Sequence, residues 1–264
     1  MNDYANYIFD LYGTLLDIHT DENKPALWTF MADFYAAFGC LLSPGDLRDA
    51  FWRLDAQERA ALRQQSPFEH PEIRIERVFL RLLLESPSRP SSTLLAERPV
   101  SHWRRRHARN PEAALRALEN GDWVRAAANA FRIHSRDFLR PFPDTLPVLR
   151  ELRRRGKRLY LLTNAQAVFT RPEIEQTGLA DFFPAPRISS EAGLMKPQPE
   201  FLLSLLRDES LDPAQTVYVG NELPTDMLLA LRCHLDGLLL TPTPPPTHLP
   251  PTIHPIPRLP ALLP

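Results

Sequence analysis

A small set of residues, widely separated in the 264-residue chain, carries side-chain types that could hold a cation and an anionic group together. Asp10 and Thr14 follow the apolar run Tyr7-Ile8-Phe9, with Gly13 at a turn between them. Thr163 and Asn164 end the run Leu159-Tyr160-Leu161-Leu162; Lys196 stands before Pro197; Glu222 and Asp226 follow Thr216-Val217-Tyr218-Val219-Gly220. Carboxylates gathered on one rim suit a hard divalent cation such as Mg²⁺, which takes oxygen ligands and keeps several waters. A lysine beside backbone amides suits an anionic substrate group. Acidic metal ligands next to a cationic clamp indicate phosphoryl chemistry.

Positioning these residues requires elements that end where they begin. The short apolar runs read as buried strands, and they alternate with helical patterns past Pro143: a basic helix from Pro147 to Gly156, the strand Leu159 to Asn164, a strand candidate Arg187-Ile188-Ser189, a helix Glu200 to Arg207, the strand Thr216 to Gly220, a helix Asp226 to Cys233 and the strand Gly237 to Thr241. Strand–helix alternation implies an α/β fold with a parallel sheet covered on both faces. In such sheets ligands bind outside the carboxyl ends of the strands, where every candidate residue falls. Between Lys24 and Leu139 the pattern is helical, as in Leu27-Phe30-Met31-Phe34, Leu47-Phe51-Leu54 and Ile75-Phe79-Leu82-Leu83, with a further helix from about Trp123 to Leu139. The expected architecture is a Rossmann-like sheet core of residues 1–20 and 140–264, interrupted after its first strand by a helical insertion, 21–139.

The ordered set Asp10-Leu11-Tyr12-Gly13-Thr14-Leu15, Thr163-Asn164, Lys196-Pro197 and Gly220-Asn221-Glu222 with Asp226 resembles the haloacid dehalogenase-like hydrolase superfamily, over residues 1–20 and 140–240. The insertion lies where that superfamily carries a cap domain. The resemblance implies that Asp10 is a nucleophile forming a covalent aspartyl intermediate. It gives Thr163 and Asn164 the substrate's transferring group, and has Lys196 balance the nucleophile's charge. It makes Asp10, the Tyr12 carbonyl, Glu222 and Asp226 the holders of Mg²⁺. Tyr12 and Thr14 belong to the same catalytic set.

Two departures from the pattern pull in opposite directions. Phosphatases of the superfamily place a general acid–base aspartate two residues after the nucleophile, whereas this chain has Tyr12. A phenol with pKa near 10 is poorly matched to that task, and a missing proton donor costs roughly 10²–10⁴-fold. Tyr12 resembles instead the metal-independent 2-haloacid dehalogenase branch, whose leaving halide needs no proton; Arg53 is the nominee for cradling halide. Glu222 favours the opposite reading, because a carboxylate pair with Asp226 keeps the metal apparatus. Mg²⁺-dependent hydrolysis of a small phosphomonoester is the leading expectation, 2-haloacid dehalogenation the second, and a binding module without turnover the third. Asp226 would also serve as an N-cap, and Asn221 reads equally as a site or a loop residue.

Composition bounds the partners. A formal net charge of −1 gives no general attraction to nucleic acid or an acidic membrane. No signal peptide or membrane span is legible, and Cys40 and Cys233 have no disulfide or metal spacing. A cytoplasmic setting is therefore expected, with a small anionic substrate and a homodimer possible through aromatics of the insertion. Arg104-Arg105-Arg106-His107 reads as a solvated helix face, Arg153 to Arg158 as cations complementing a helix end, and His19, His70, His102 and His134 share no ligand spacing. The chain has 28 Pro against 9 Gly, crowded from Thr241 to Pro264. That tail reads either as polyproline II for a proline-recognition module or as a surface wrap pairing over Thr252 to Ile256 as an edge strand.

Overall fold

The computed structural model describes residues 3–241 and 248–263. Along the chain run β1 (Asn6–Phe9), β2 (Leu16–Thr20), α1 (Pro25–Ala36), α2 (Pro44–Gln65), α3 (Ile75–Glu85), the two-residue strands β3 (Leu94–Leu95) and β4 (Arg98–Pro99), α4 (Val100–Arg109), α5 (Pro111–Leu118) and α6 (Asp122–Ser135). There follow β5 (Arg136–Pro141), α7 (Thr145–Arg154), β6 (Arg158–Thr163), α8 (Ala167–Gln176), β7 (Arg187–Ile188), α9 (Ser189–Ala192), α10 (Pro199–Asp208), β8 (Thr216–Gly220), α11 (Leu228–Arg232), β9 (Asp236–Leu240) and β10 (Ile253–Ile256).

Every residue of β1 and β8 is buried, as continuous apolar runs require when a strand is covered on both faces. The sheet order is β10-β9-β8-β1-β6-β7, and every pairing is parallel. Alternation sends neighbouring side chains into two cores. Phe9, Leu161, Val217, Val219 and Leu238 enter one; Ile8, Leu162, Tyr218 and Leu239 enter the other, against Phe201 and Leu205 of α10. Phe9 pairs with both Leu161 and Val219, so β1, β6 and β8 end near one level. β1 lies where the strand order reverses, the position at which an open parallel sheet leaves a crevice.

The chain forms two compact units: residues 1–19, 67–72 and 138–264, which contain the sheet, and residues 20–66 and 73–137, which are mainly helical. The helical unit is knit by aromatic packing, with Phe51 5.1 Å from Phe131 and 5.5 Å from Phe79, ring centroid to ring centroid. Ser43 caps α2 by accepting from the Asp46 amide at 3.2 Å. One stretch inside the expected insertion, Pro67–Glu72, groups with the sheet unit instead.

Three local expectations need correction. The helix expected to reach Leu139 stops at Ser135, because Arg136–Pro141 pairs with β2 in a two-stranded ribbon, where Arg140 bonds Asp17 at 2.8 Å. The helix expected to open at Asp226 is instead a π-helical turn, Leu223–Met227, running into α11, so Asp226 lies inside the turn. Ser189 starts α9 rather than ending a strand. At the C-terminus, β10 pairs in parallel with β9, Ile253 facing Gly237. That pairing fits the edge-strand reading of the tail, expected over Thr252 to Ile256; its prolines within 242–247 lie outside the described residues.

Candidate active site

At the carboxyl end of β1 the chain turns sharply. Gly13 has φ +79°, and a Cβ there would come within 2.5 Å of Asn221 Nδ2, so both conformation and space demand glycine. The turn leaves Asp10 buried, with its backbone N–H donating to the Val219 carbonyl at 2.9 Å. Lys196 Nζ donates to Asp10 Oδ1 at 2.6 Å and to Asp226 Oδ1 at 2.7 Å. The side chains of Lys196, Asp10 and Asp226 are 3%, 8% and 1% exposed. Thr163 Oγ1 donates to Asp10 Oδ1 at 3.3 Å, and Thr14 Oγ1 reaches Asp10 Oδ2 at 3.2 Å. Residues from four separate stretches thus converge on one lysine–carboxylate cluster.

Burial pushes the Asp10 carboxyl above the usual carboxylate range; the Lys196 ammonium opposes this and Asp226 adds to it. Burial acts to lower Lys196, but Asp10, Tyr218 and Asp226 outweigh it and hold the ammonium well above its ordinary value. Tyr218, raised well above its ordinary value by burial, stays a neutral phenol; it donates to the Leu162 carbonyl at 3.0 Å and lies 3.4 Å from Asp226 Oδ1. Tyr218 was not expected at the site, although a hydroxyl-bearing residue in an otherwise aliphatic strand was a usable signal.

The remaining sequence candidates divide. Asn164 grips the lysine's own peptide groups: its Oδ1 accepts from Lys196 N at 2.7 Å and its Nδ2 donates to Lys196 O at 3.0 Å. Asp226 Oδ2 accepts from the amides of Asn221 and Glu222, both at 3.0 Å, and its carboxylate approaches so closely that any Cβ at Gly220 would collide with it. Glu222 does not join the cluster. It is exposed, and its carboxylate takes the Thr225 hydroxyl at 2.7 Å. Asn221 turns inward instead, its amide 3.1 Å from Thr14 Oγ1. Thr14 Oγ1 is the donor to Asn221 Oδ1, and with a single hydrogen it shares that donor between Asn221 and Asp10. The Tyr12 phenol is also turned aside: it bonds Thr170 Oγ1 at 3.0 Å and donates to buried Glu173 on α8. Arg53 is an exposed residue of α2, lining a cleft of the helical unit with Asp46, Asp49 and Glu85.

The expected Mg²⁺ ligands therefore do not fit as a set. Both Asp226 oxygens are taken, one by Lys196 and one by two amides, and Glu222 faces solvent. A cavity of about 450 Å³ adjoins the cluster, lined by Thr14, Asn221, Asp144, Leu240 and Arg258 among others.

An aspartate and two hydroxyls near the carboxyl ends of parallel strands, with a loop lysine joined to them, sit beside the strand-order reversal, where open α/β sheets bind ligands. The family pattern of haloacid dehalogenase-like hydrolases matches residues 4–234, and the chain belongs to that family. It is 34% identical over 109 residues to a glyceraldehyde 3-phosphate phosphatase of Methanopyrus kandleri, covering 41% of this chain and 47% of that protein. It is 34% identical over 86 residues to a phosphoserine phosphatase of Thermus thermophilus, covering 33% of this chain and 34% of that protein. The chain thus spans half or less of the length of these curated relatives. Among solved structures, a 2-haloacid dehalogenase from Pseudomonas syringae pv. Tomato superposes with TM-score 0.58 at 21% identity, covering 98% of each chain. A phosphatase from Thermococcus onnurineus does so with TM-score 0.54 at 17% identity, covering 97% of this chain and 95% of that one. These two likenesses establish the fold alone. No helix among the described residues is long and apolar enough to cross a membrane.

Proposed function

We propose that the protein hydrolyses a small phosphomonoester through a covalent intermediate on Asp10. The observation that carries this reading is the unequal engagement of the Asp10 oxygens: Oδ1 takes Lys196 at 2.6 Å, while Oδ2 has the longer Thr14 contact at 3.2 Å. Oδ2 is the attacking atom. It bonds to phosphorus as the bond to the leaving alcohol oxygen breaks, and the alkoxide takes a proton from water. Water then attacks the phosphorus of the acyl phosphate, releasing phosphate and the Asp10 carboxylate. Thr163 and the Lys196 ammonium supply hydrogen bonds to the transferring group, and Asn164 keeps Lys196 in register. The two relatives named as phosphatases support the substrate class.

The charge balance sharpens what this reading needs. Asp10, Asp226 and Lys196 together carry a formal −1, and like charges about 4 Å apart repel by roughly 4 kcal/mol at an effective dielectric of 20. A phosphate dianion calls for a further cation, for which Mg²⁺ is suited. Glu222 and Asp226 as oriented do not supply its ligands, so no step is assigned to it.

A second reading, displacement of halide from a 2-halo acid, is favoured by the Tyr12 phenol, which is engaged by Thr170 and Glu173 rather than by Asp10. Halide leaves without a proton, and a monoanionic substrate meets less repulsion. The test is phosphate release from a generic phosphomonoester with Mg²⁺ or EDTA, in parallel with halide release from 2-chloropropionate, using Asp10→Asn as the blank. The first reading expects phosphate release that the variant lacks; suppression by EDTA would show that the further cation is held by ligands other than Glu222 and Asp226 as oriented. Halide release insensitive to EDTA would transfer the assignment to the second. No turnover on either substrate would leave a binding module.

A further inference from the structure

Lys196 lies in a loop, not at a strand end, yet its Nζ is held within hydrogen-bond distance of two buried carboxylates. A long flexible side chain keeps such a position only when its backbone is fixed, because misplacement by about 1 Å at a reacting centre costs on the order of 10²-fold. Asn164 fixes the lysine's own peptide groups. The residues before and after it are fixed by another part of the chain.

After α2 the polypeptide leaves the helical unit, joins the sheet unit over Pro67–Glu72, and returns to the helical unit at Ile73. This stretch pairs antiparallel with the residues just before Lys196. Pro71 lies opposite Leu194, the Glu72 amide donates to the Gly193 carbonyl at 3.0 Å, and the Met195 amide donates to the His70 carbonyl at 3.0 Å. On the far side of the lysine, Gln198 Oε1 accepts from the His70 amide at 3.2 Å. The Glu72 carboxylate is buried and accepts from Ser189 Oγ at 3.3 Å; that hydroxyl in turn accepts from the Ala165 amide at 2.8 Å, beside Asn164. Backbone groups of Gly193 and Met195 before Lys196, and the Gln198 side chain after it, thus bond to His70 and Glu72 of the insertion.

We propose that Pro67–Glu72 is a strap that positions Lys196, so that the insertion helps set the geometry of the Asp10 site through backbone hydrogen bonds. Its residues are positioning residues that act through the lysine loop. The proposal rests on the reading of Lys196 as a working group of the site, but its structural half can be tested without turnover.

The experiment is amide hydrogen exchange, resolved at Met195, combined with steady-state kinetics on the full chain. In the wild type, Met195 N–H should exchange slowly, since it is bonded to His70. Glu72→Pro deletes the donor to Gly193. It should speed Met195 exchange at least about tenfold, leave the β1 amides protected, and lower kcat roughly ten- to hundredfold with KM little changed. Glu72→Gln keeps the donor and should stay within about threefold of wild type in both measurements. Pro71→Gly, which loosens the strap without removing a donor, should change both in the same direction by less, and serves if Glu72→Pro does not fold. Fast Met195 exchange in the wild type would overturn the strap itself. Faster exchange in Glu72→Pro with unchanged kcat would overturn its positioning role. If Asp10→Asn kept full activity, the catalytic reading would fail while the exchange result still stood.

Discussion

In the sheet unit, Lys196 joins Asp10 and Asp226 with side chains 3%, 8% and 1% exposed. In the helical unit, Arg77 meets Glu112 at 2.5 Å and Arg81 meets Glu58 at 2.9 Å, but Arg77 is 21% and Glu112 49% exposed. The residue types are alike and the energetics are opposite. Burying an ion costs several kcal/mol, and a buried pair repays this only with good geometry and satisfied hydrogen bonds. A pair such as Arg77–Glu112, with one side chain half exposed, typically contributes about 0–1 kcal/mol, and Arg81–Glu58, 17% exposed on both sides, lies between the two cases. The network on α2, α3 and α5 is therefore adequately explained by helix packing. The triad of one cation with two anions carries uncompensated charge, as a site that accepts a ligand or reacts would.

The largest effect that would sharpen this contrast is expected from Lys196→Met. Removing the ammonium that joins Asp10 and Asp226 leaves two buried carboxylates without their shared cation. The substitution should destabilise the fold by roughly 3–5 kcal/mol and cut kcat/KM about 10²–10³-fold, read by denaturant unfolding and steady-state kinetics. Loss of less than tenfold in kcat/KM would put the triad in the same class as the surface network.

A smaller effect separates two adjacent residues. Asn221→Ala removes the oxygen that accepts from Thr14 and should cost about 1 kcal/mol, roughly fivefold in kcat/KM. Glu222→Gln, on an exposed side chain, should stay within about twofold. The reverse ranking would return Glu222 to the role that its spacing from Asp226 suggested.

The smallest effect concerns the surface network. The Arg77 hydrogen bond, with Arg116 adding, holds Glu112 down to about 2 from an ordinary value of 4.5. A carboxyl depressed in the folded state contributes stability above its unfolded pKa and loses it as pH falls through the folded one, here between about 4.5 and 2. Because Glu112 is half exposed, solvent screening limits the loss to a few tenths of a kcal/mol. Glu112→Gln should flatten acid unfolding across that window only slightly. A loss above about 1 kcal/mol would show that exposed pairs here count for more than the comparison allows.

The sheet was legible because buried parallel strands are continuous apolar runs: Tyr7 to Phe9, Leu159 to Leu162 and Thr216 to Val219 announce themselves without knowledge of partners. β2 and β5 were not, because each is recognisable only through the other, more than a hundred residues away. At the site, Asp10, Thr14, Thr163, Lys196 and Asp226 could be read as convergent, since each follows a strand or its loop. Spacing failed at Glu222. A four-residue interval before Asp226 looks helical, but the π-helical turn and the closing of Asp226 onto two backbone amides turn Asn221 inward and Glu222 outward. Tyr12 was legible as a departure but not in its orientation, which depends on Glu173 of α8. The Pro67–Glu72 strap had no sequence signature, because its bonds are mostly backbone bonds that many residues could make.

The central claim, that Asp10 becomes covalently bonded to substrate, is tested most directly by a single turnover with a phosphomonoester, quenched in acid and analysed by mass spectrometry of the Asp10 peptide. The account predicts a phosphoryl adduct on Asp10 that appears and decays within the turnover and is absent from Asp10→Asn. Turnover without any adduct on Asp10, or turnover retained in Asp10→Asn, would contradict it.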